Sequence, residues 1–280
     1  MPSLDWYDCP IVLPYYGGKY EMSKKLIPLL PPHERYIEVF AGGLSMFFRK
    51  SKAKWNVLND KDKNIVNLYM SVILKRKELI DNLFWIPKSR DLFLDFKGEI
   101  RDENHTFEIP DPLQAAKYLY CIRYSFNKLI HTPFSMNKDM NKDWEAELTY
   151  SRKFLGGATV ENLEFEELID RYNPRKGDFW YLDPPYIVAT EKGSYYNHSF
   201  DMEDHKRLRE SVQKIHDNGG HFMVSYDYRE EVAELYKDFD CRTLDWKYVG
   251  ATDEARQKGR KEYVIINYEP TQQINIFKED

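Results

Sequence analysis

The sequence predicts an α/β fold in which one open sheet is interrupted by a helical insertion. Apolar, strand-like segments lie around residues 36–41, 55–60, 179–182, 221–226 and 261–268, and several of them end in glycine or aspartate. Between the second and third segments, apolar residues recur with helical spacing over a stretch too long for a simple crossover. We therefore predict an α/β domain of residues 1–66 and 151–280 and a helical domain of residues 67–150.

Length and composition fit a globular protein with a full core. The chain has 280 residues, of which 42% are hydrophobic and 31% are charged, and these values are ordinary for a soluble protein. No apolar run has the length of a membrane span, and the first residues lack a signal pattern. The three cysteines, Cys9, Cys121 and Cys241, show no metal-binding spacing, which predicts a reducing cytoplasm and no metal site.

The net charge of −5 counts against a generic nucleic-acid binder, because neutralisation of phosphates usually requires a basic balance. A nucleic-acid interface would therefore need segregated charge. Basic stretches at residues 50–54, 123–142 and 256–261 are candidates, although a solvated surface explains any single one of them better.

The first strand runs into Gly42 and Gly43 and then into helical residues. Glycine lets a backbone approach a ligand closely, but the full dinucleotide-binding fingerprint is missing, so a plain βα turn also fits. The second strand ends in Asp60, at the distance along the chain where an acid holds a ribose diol. The alternative for Asp60 is the N-cap of a helix, and the two roles are compatible.

Apolar residues at helical spacing define the predicted insertion. They fall on two faces, one made of Leu68, Tyr69, Val72, Ile73, Leu79 and Ile80, the other of Leu113, Ala116, Leu119, Tyr120 and Tyr124.

The third strand, residues 179–182, is apolar throughout and leads into Asp183-Pro184-Pro185-Tyr186. A continuous apolar run predicts a buried central strand whose carboxyl end opens at a ligand crevice. The two prolines exclude a helix and hold the turn rigid. An ordinary surface turn is the alternative interpretation of the same residues.

The chemistry of this turn suits a planar amine. An exocyclic amine on an aromatic ring is a poor nucleophile, and hydrogen-bond acceptors for its two hydrogens localise its lone pair. The Asp183 carboxylate can accept one hydrogen and the Pro184 carbonyl the other, while Tyr186 offers a flat face for stacking. The turn therefore favours methylation of a base amine by direct transfer, without a covalent enzyme intermediate.

The chain after the turn predicts a lid and then a return to the α/β pattern. Residues 187–200 are polar and aromatic and long enough to cover a bound base, although a surface loop fits as well. Asp201 caps a predicted helix that Gly219 and Gly220 end. Strands follow at 221–226 and 261–268, and we predict that the last one closes the edge of the sheet.

Four blocks together resemble the Dam-like DNA adenine methyltransferases, which are S-adenosylmethionine-dependent. The blocks span most of the chain, and their order matches that of the family. They are Tyr15-Tyr16-Gly17-Gly18-Lys19, Phe40-Ala41-Gly42-Gly43, Asn59-Asp60 and Asp183-Pro184-Pro185-Tyr186.

The resemblance implies a Rossmann-like class I methyltransferase sheet, S-adenosylmethionine as cofactor and the 6-amino group of a flipped-out adenine in double-stranded DNA as target. It further implies a bacterial or phage enzyme of the restriction-modification kind, located in the cytoplasm. Cofactor contacts are implied for Tyr15, Lys19, Phe40, Gly42, Gly43, Asp60, Phe165 and Asp183. Lys19 suits either the methionine carboxylate or a nearby acid, and Phe165 is equally natural as a core residue.

In this family the insertion carries target recognition, and here the chain departs from the family pattern. The arginine-rich hairpin between residues 124–130 and 131–137 is shortened, so GATC specificity is not implied. Arginine or lysine suits guanine and phosphate, and asparagine suits adenine. Candidate DNA contacts are Arg123, Asn127, Lys128, Asn137, Lys138, Tyr195, Tyr196 and Arg260.

The C-terminal segment Gln273-Ile274-Asn275-Ile276-Phe277 resembles the short peptide with which bacterial replication proteins bind the sliding clamp. A frayed chain end or a strand that packs at a sheet edge is the simpler explanation. Three alternatives to adenine methylation stay open: methylation of cytosine at its 4-amino group, methylation of RNA or of a protein glutamine, and a DNA-binding module without turnover.

Overall fold

A computed structural model of the protein describes residues 19–102, 104–126, 130, 132–135, 143–187, 200–246 and 260–270. Its centre is a seven-stranded sheet in the order β3-β2-β1-β4-β5-β7-β6. The strands are β1 (Arg35–Glu38), β2 (Trp55–Asn59), β3 (Thr159–Glu161), β4 (Asp178–Leu182), β5 (His221–Asp227), β6 (Asp240–Trp246) and β7 (Arg260–Ile266).

Strands β1 to β5 run parallel to one another, while β7 is antiparallel to both β5 and β6. The order 3-2-1-4-5 is that of a doubly wound sheet, in which ligands bind at the carboxyl ends of the strands where the order reverses. The hairpin of β6 and β7 extends this sheet, and the predicted α/β fold with a Rossmann-like sheet is confirmed.

The prediction that the last strand closes the sheet edge is wrong. Strand β7 lies between β5 and β6, and β6, which we did not predict, forms the edge. Strand β7 is internal because Val264, Ile265 and Ile266 are all fully buried, so both faces of this strand are covered. Strand β6 has the sequence DCRTLDW, whose polar side chains suit an exposed edge.

The helices cover the two faces of the sheet. They are α1 (Tyr20–Leu26), α2 (Lys63–Leu74), α3 (Arg76–Trp85), α4 (Arg90–Arg101), α5 (Pro112–Tyr124), α6 (Trp144–Leu155), α7 (Phe165–Tyr172), α8 (Met202–Asp217) and α9 (Glu230–Leu235), with a short 3-10 helix at Ile27–Leu29. None of the helices in the described part of the chain is long and apolar enough to span a membrane.

Helices α2 to α6 form the predicted helical region between β2 and β3. Their buried side chains, such as Tyr69 and Leu119, share one hydrophobic cluster with Tyr36 and Phe179 of the sheet. A second cluster on the other face joins the sheet to α7 and α8 through Phe165, Leu168, Leu208 and Val212. Helix α2 begins at Lys63, so the predicted boundary at residue 67 falls within a helix, and the division into two domains stays a prediction.

Aspartates begin several of these helices, as their N-cap preference predicts. Asp201 caps α8 and forms a reciprocal capping box with Asp204, which confirms the predicted start of that helix. Helix α2 is capped by Asp62, whose side chain accepts a hydrogen bond from the Asn64 amide at 2.9 Å. Because Asp62 takes the cap, Asp60 is left for another role.

Strand β4 is the buried central strand that its apolar sequence predicts, since every residue from Asp178 to Leu182 is buried. It lies between β1 and β5. At its start, the Arg35 guanidinium donates to the Asp178 carboxylate at 2.9 Å and to the Tyr172 carbonyl at 2.8 Å. This fixed start places Asp183, the residue after the strand, at the carboxyl edge of the sheet.

Candidate active site

The loops that follow β1, β2 and β4 emerge at one edge of the sheet. The register pairs Glu38 with Leu58 on one side and with Tyr181 on the other. Beyond β1, the Val39 amide donates to the Tyr181 carbonyl at 3.0 Å, and the Ala41 amide donates to the Asn59 carbonyl at 2.7 Å. The structure therefore places three predicted site elements, the glycine pair, Asp60 and Asp183, at the same edge.

The glycine loop is held by Asp60. Asp60 accepts the Gly42 amide on Oδ2 at 2.8 Å and the Asp62 amide on Oδ1 at 2.9 Å. The Gly42 backbone has φ 44°, a left-handed conformation that glycine adopts without steric cost. The Tyr69 hydroxyl donates to the Gly42 carbonyl. A turn follows rather than the predicted helical residues, because Leu44 also has a positive φ of 53°.

Asp60 combines burial with hydrogen-bonding capacity. Burial, and to a smaller extent the Asp62 carboxylate, raises its pKa to about 7, against the opposing effect of the two amide donors. A carboxylate has about four lone-pair positions, so the two amides leave Asp60 able to accept further donors. Asp60 can therefore both shape the glycine loop and hold hydroxyl groups of a ligand.

Aromatic rings flank this part of the edge. The Phe40 and Phe165 ring centroids lie 6.0 Å apart, and Phe200 lies 6.0 Å from each of them. Phe165 is 4% exposed and begins α7. The Phe165 ring belongs to the core, and its contact with a cofactor stays a prediction.

Asn59 belongs to one of the four family-like blocks, and the sequence assigned it no role. In the structure its side chain connects two loops by hydrogen bonds. Its side-chain amide donates to the carbonyls of Val39 at 2.9 Å and Leu163 at 3.0 Å, and its oxygen accepts the Leu163 amide at 2.9 Å. Asn59 thereby joins the glycine loop to the segment that leads into Phe165. A buried amide bonded in three directions is a rigid connector.

The second part of the site is centred on Lys19, which is 4% exposed. Its Nζ lies 3.1 Å from Asp183 Oδ1 and 2.8 Å from Glu262 Oε2. It also donates to the Tyr186 hydroxyl and lies 4.5 Å from the centroid of the Tyr186 ring. Of the two partners that the sequence left open for Lys19, the structure supplies the nearby acid.

Burial and charge oppose each other in this group. Burial alone would lower the pKa of Lys19, but attraction to Asp183 and Glu262 outweighs it and holds that pKa well above its ordinary value. For Asp183 and Glu262, burial raises the pKa and Lys19 lowers it, and the net direction for both is upward. Lys19 therefore offsets part of the effect of burial on the pKa of the buried Glu262 and the partly exposed Asp183.

Two residues of this group were not predicted from the sequence. Glu262 lies on β7 and is 4% exposed; a charged residue inside the apolar run of a strand was the available signal. Ser225 on β5 donates to Asp183 Oδ1 at 3.0 Å and contacts the Tyr181 hydroxyl at 3.1 Å. No sequence pattern singles out Ser225, because its partners come from another strand.

The turn after β4 lies where the sequence predicted it, at the carboxyl end of the central strand. Pro184 is buried, while Asp183, Pro185 and Tyr186 are partly exposed. A carboxylate held by a buried lysine stands beside an aromatic ring. This arrangement is suited to accept the N–H group of a planar amine and to stack the ring that carries it.

The predicted DNA contacts are described only in part. The Arg123 guanidinium bonds Glu147 at 2.9 Å and lies 5.0 Å from the Trp144 ring, so it is engaged within the helical region. Arg260 is described only by its backbone position at the start of β7. The other candidate DNA contacts lie outside the described part of the chain: Asn127, Lys128, Asn137, Lys138, Tyr195 and Tyr196. The cofactor candidate Tyr15, residues 188–199 of the predicted lid and the clamp-like residues 273–277 also lie outside it.

Comparison with known proteins gives a match over residues 15–249 to the family described as D12 class N6 adenine-specific DNA methyltransferase. The chain is 26% identical to the type II methyltransferase M1.LlaDCHI of Lactococcus lactis subsp. cremoris, covering 90% of this chain and 93% of that protein. It is 25% identical to the modification methylase StsI of Streptococcus sanguinis, covering 94% of this chain but 43% of that longer protein. It is 24% identical to the DNA adenine methylase of Salmonella typhi, covering 80% of this chain and 83% of that protein.

Proposed function

The chain belongs to the D12 class of N6 adenine-specific DNA methyltransferases, and we propose that it transfers the methyl group of S-adenosylmethionine to an adenine held at Asp183-Pro184-Pro185-Tyr186. The family match confirms the resemblance to Dam-like enzymes and the predicted enzymatic activity. The observation that carries the residue assignment is the position of Asp183 at the carboxyl end of β4, on the same sheet edge as Gly42 and Asp60.

The residues of the glycine loop fit the proposed cofactor. Asp60 is partly buried, keeps unused acceptor capacity and lies at the end of β2, where an acid suits a ribose diol. Phe40 and Phe165 give apolar surface for an adenine ring. When bound, S-adenosylmethionine supplies a methyl group on a positively charged sulfur.

The residues of the turn fit the proposed target. In the proposed reaction, Asp183 and the Pro184 carbonyl accept the two hydrogens of the adenine amine and direct its lone pair toward the methyl donor. Tyr186 stacks on the base. The adenine has to leave the duplex stack to reach them, which costs a few kcal/mol.

Lys19 is proposed to act on Asp183 rather than on the methionine carboxylate. Its Nζ is already shared between Asp183 and Glu262 at 3.1 and 2.8 Å. Such a lysine lowers the pKa of Asp183 against the effect of burial, and an ionised carboxylate is the stronger acceptor for an amine hydrogen. All of the proposed cofactor contacts, including Tyr15 and Gly43, stay predictions.

Recognition of DNA is proposed to involve the helical region and the predicted contact residues. Replacing Lys128 or Lys138 by Ala should weaken DNA binding and reduce its salt dependence if either contacts a phosphate. Clamp binding is a separate proposal, tested by truncating the chain after Pro270 and measuring its binding to a purified clamp.

The proposed activity is tested with purified protein, labelled S-adenosylmethionine and duplex DNA. We expect label in the DNA and, after digestion, N6-methyladenine. Label in 4-methylcytosine would instead support the cytosine alternative, and equal labelling of RNA would support the RNA alternative. A protein that shifts DNA in a gel but transfers no label would contradict the proposed reaction.

Cofactor binding is expected to depend on pH through Asp60. Its pKa is raised to about 7, and ribose hydroxyl groups donate better to the ionised carboxylate. Affinity for S-adenosylmethionine should therefore rise as pH increases from 6 to 8, by up to about tenfold. Isothermal titration calorimetry of the wild type and of Asp60→Asn checks this. The variant should bind more weakly and lose the pH dependence; an unchanged pH profile in the variant would refute the assignment.

A further inference from the structure

One oxygen of Asp183 receives two donors. Lys19 Nζ lies 3.1 Å from Oδ1, and Ser225 Oγ lies 3.0 Å from the same atom. Among the residues that the structure describes, no partner contacts Oδ2. About 22% of the Asp183 side chain is exposed, so a substrate can reach the carboxylate. The two oxygens therefore have different surroundings.

The direction of each hydrogen bond that leads to Oδ1 follows from which groups can donate. An ionised carboxylate only accepts hydrogen bonds, so the Ser225 hydroxyl donates to Asp183. The Ser225 oxygen is then left as the acceptor for the Tyr181 hydroxyl, which lies 3.1 Å away. Tyr181 is 1% exposed and Ser225 is fully buried. The result is a directed chain from Tyr181 through Ser225 to Asp183.

The chain joins two neighbouring strands. Tyr181 belongs to β4 and Ser225 to β5, and the register pairs Tyr181 with Met223 and Leu182 with Val224. Ser225 therefore lies one residue beyond the last pair, level with Asp183. Both hydroxyl groups are carried by a parallel sheet rather than by a loop, and this makes their positions more rigid than that of the turn itself.

We propose that Ser225, held by Tyr181, is a positioning residue that fixes Asp183 through Oδ1 and leaves Oδ2 as the acceptor for the target amine. This inference rests on the proposed function of the turn. A fixed Oδ1 sets the orientation of the carboxylate before the base enters, so no reorganisation is needed when the amine hydrogen bonds to Oδ2. Lys19 places a positive charge beside Oδ1, and the Ser225 hydroxyl fixes the orientation of the Asp183 carboxylate.

Ser225 should also affect the ionisation of Asp183. Burial raises the pKa of Asp183, and Lys19 and then Ser225 lower it. Among the described residues, the other titratable groups that interact electrostatically with this carboxyl are Glu262 from β7, Glu38 from β1, Tyr226 from β5, Tyr181 and Tyr186. These groups remain in a Ser225 variant. Loss of the Ser225 donor should therefore raise the pKa of Asp183 and move the acid limb of the kcat profile to higher pH.

The test compares Ser225→Ala with Ser225→Thr, Tyr181→Phe and a matched control. Ser151→Ala removes a buried serine hydroxyl that donates to the Glu147 carbonyl at 2.8 Å in α6, and it should leave kcat unchanged. Ser225→Ala should lower kcat about 10- to 100-fold, with the Kd for S-adenosylmethionine changed less than about twofold. Ser225→Thr keeps the hydroxyl and should restore most of kcat. Tyr181→Phe should give a smaller loss.

Three measurements decide the outcome: kcat against pH, cofactor Kd by calorimetry and the thermal midpoint. If Ser225→Ala has the kcat and the acid limb of the Ser151→Ala control, the inference is wrong. If Ser225→Ala fails to fold, Tyr181→Phe decides in its place, and a wild-type profile there would also overturn the inference. A wild-type protein that transfers no methyl group would instead overturn the proposed function.

Discussion

Replacing Asp183 by Ala is expected to lower methyl transfer to DNA by about 10³-fold, the size of effect seen when a main electrostatic group of an active site is removed. The carboxylate accepts an amine hydrogen in the proposed reaction, and the alanine variant keeps only the Pro184 carbonyl for that task. The measurement is kcat with labelled S-adenosylmethionine and duplex DNA.

The fold of this variant should survive, because Lys19 keeps a second buried partner. Glu262 lies 2.8 Å from the Lys19 Nζ, so the ammonium does not become an unpaired buried charge. Cofactor affinity should change little, since Asp60 and the aromatic rings belong to the other part of the site. Asp240→Ala, which removes an exposed acid on β6 that is paired with Arg242, serves as control. Activity within about tenfold of this control would refute the role of Asp183.

Replacing Lys19 by Met should have the largest effect on stability. The change leaves Asp183 and Glu262 without their shared cation in a buried place, and breaking a buried ion pair in this way costs about 3–5 kcal/mol. At neutral pH we also expect kcat to fall about 10²-fold, because loss of Lys19 raises the pKa of Asp183 and the protonated fraction accepts the amine hydrogen poorly. Chemical denaturation and methyl-transfer assays measure the two effects.

The pH dependence of the Lys19→Met variant separates these effects. Without Lys19, the pKa of both carboxyl groups rises further above its unfolded value of about 4. The folded variant then binds protons that the unfolded chain has lost, so its free energy of unfolding decreases as pH rises through this window. Activity should increase over the same window, since Asp183 ionises.

Opposite trends of stability and activity with pH would support this role for Lys19. Lys19→Arg keeps a positive charge and should retain more activity and stability than Lys19→Met at every pH. If Lys19→Met instead loses activity in parallel with folding, and does not recover at higher pH, the lysine has only a structural role.

Much of this site could be predicted because its signals are local in sequence. The buried run before Asp183 and the prolines after it predict a strand that ends in a rigid turn, and β4 has these properties. Asp201 and the glycines after α8 likewise marked the ends of that helix. In each case the residues that define an element are neighbours along the chain, so the pattern is visible before folding.

Other features depend on which strand lies beside which. The sequence indicated a final strand but placed it at the edge, because nothing in residues 261–268 reveals that β6 pairs with it. Glu262 is separated from Lys19 by 243 positions, and Ser225 from Asp183 by 42. Contacts between residues so far apart along the chain leave no periodic pattern in the sequence.

The sequence by itself determined the α/β class, the central strand and the turn whose oxygens are suited to a base amine. Only the tertiary structure decided how that turn is held: a lysine between Asp183 and the buried Glu262, and a serine on the adjacent strand bonded to one carboxylate oxygen. The physical reason is that burial sets the cost of each charge and parallel pairing sets its neighbours. Burial and strand pairing both arise only when the sheet assembles.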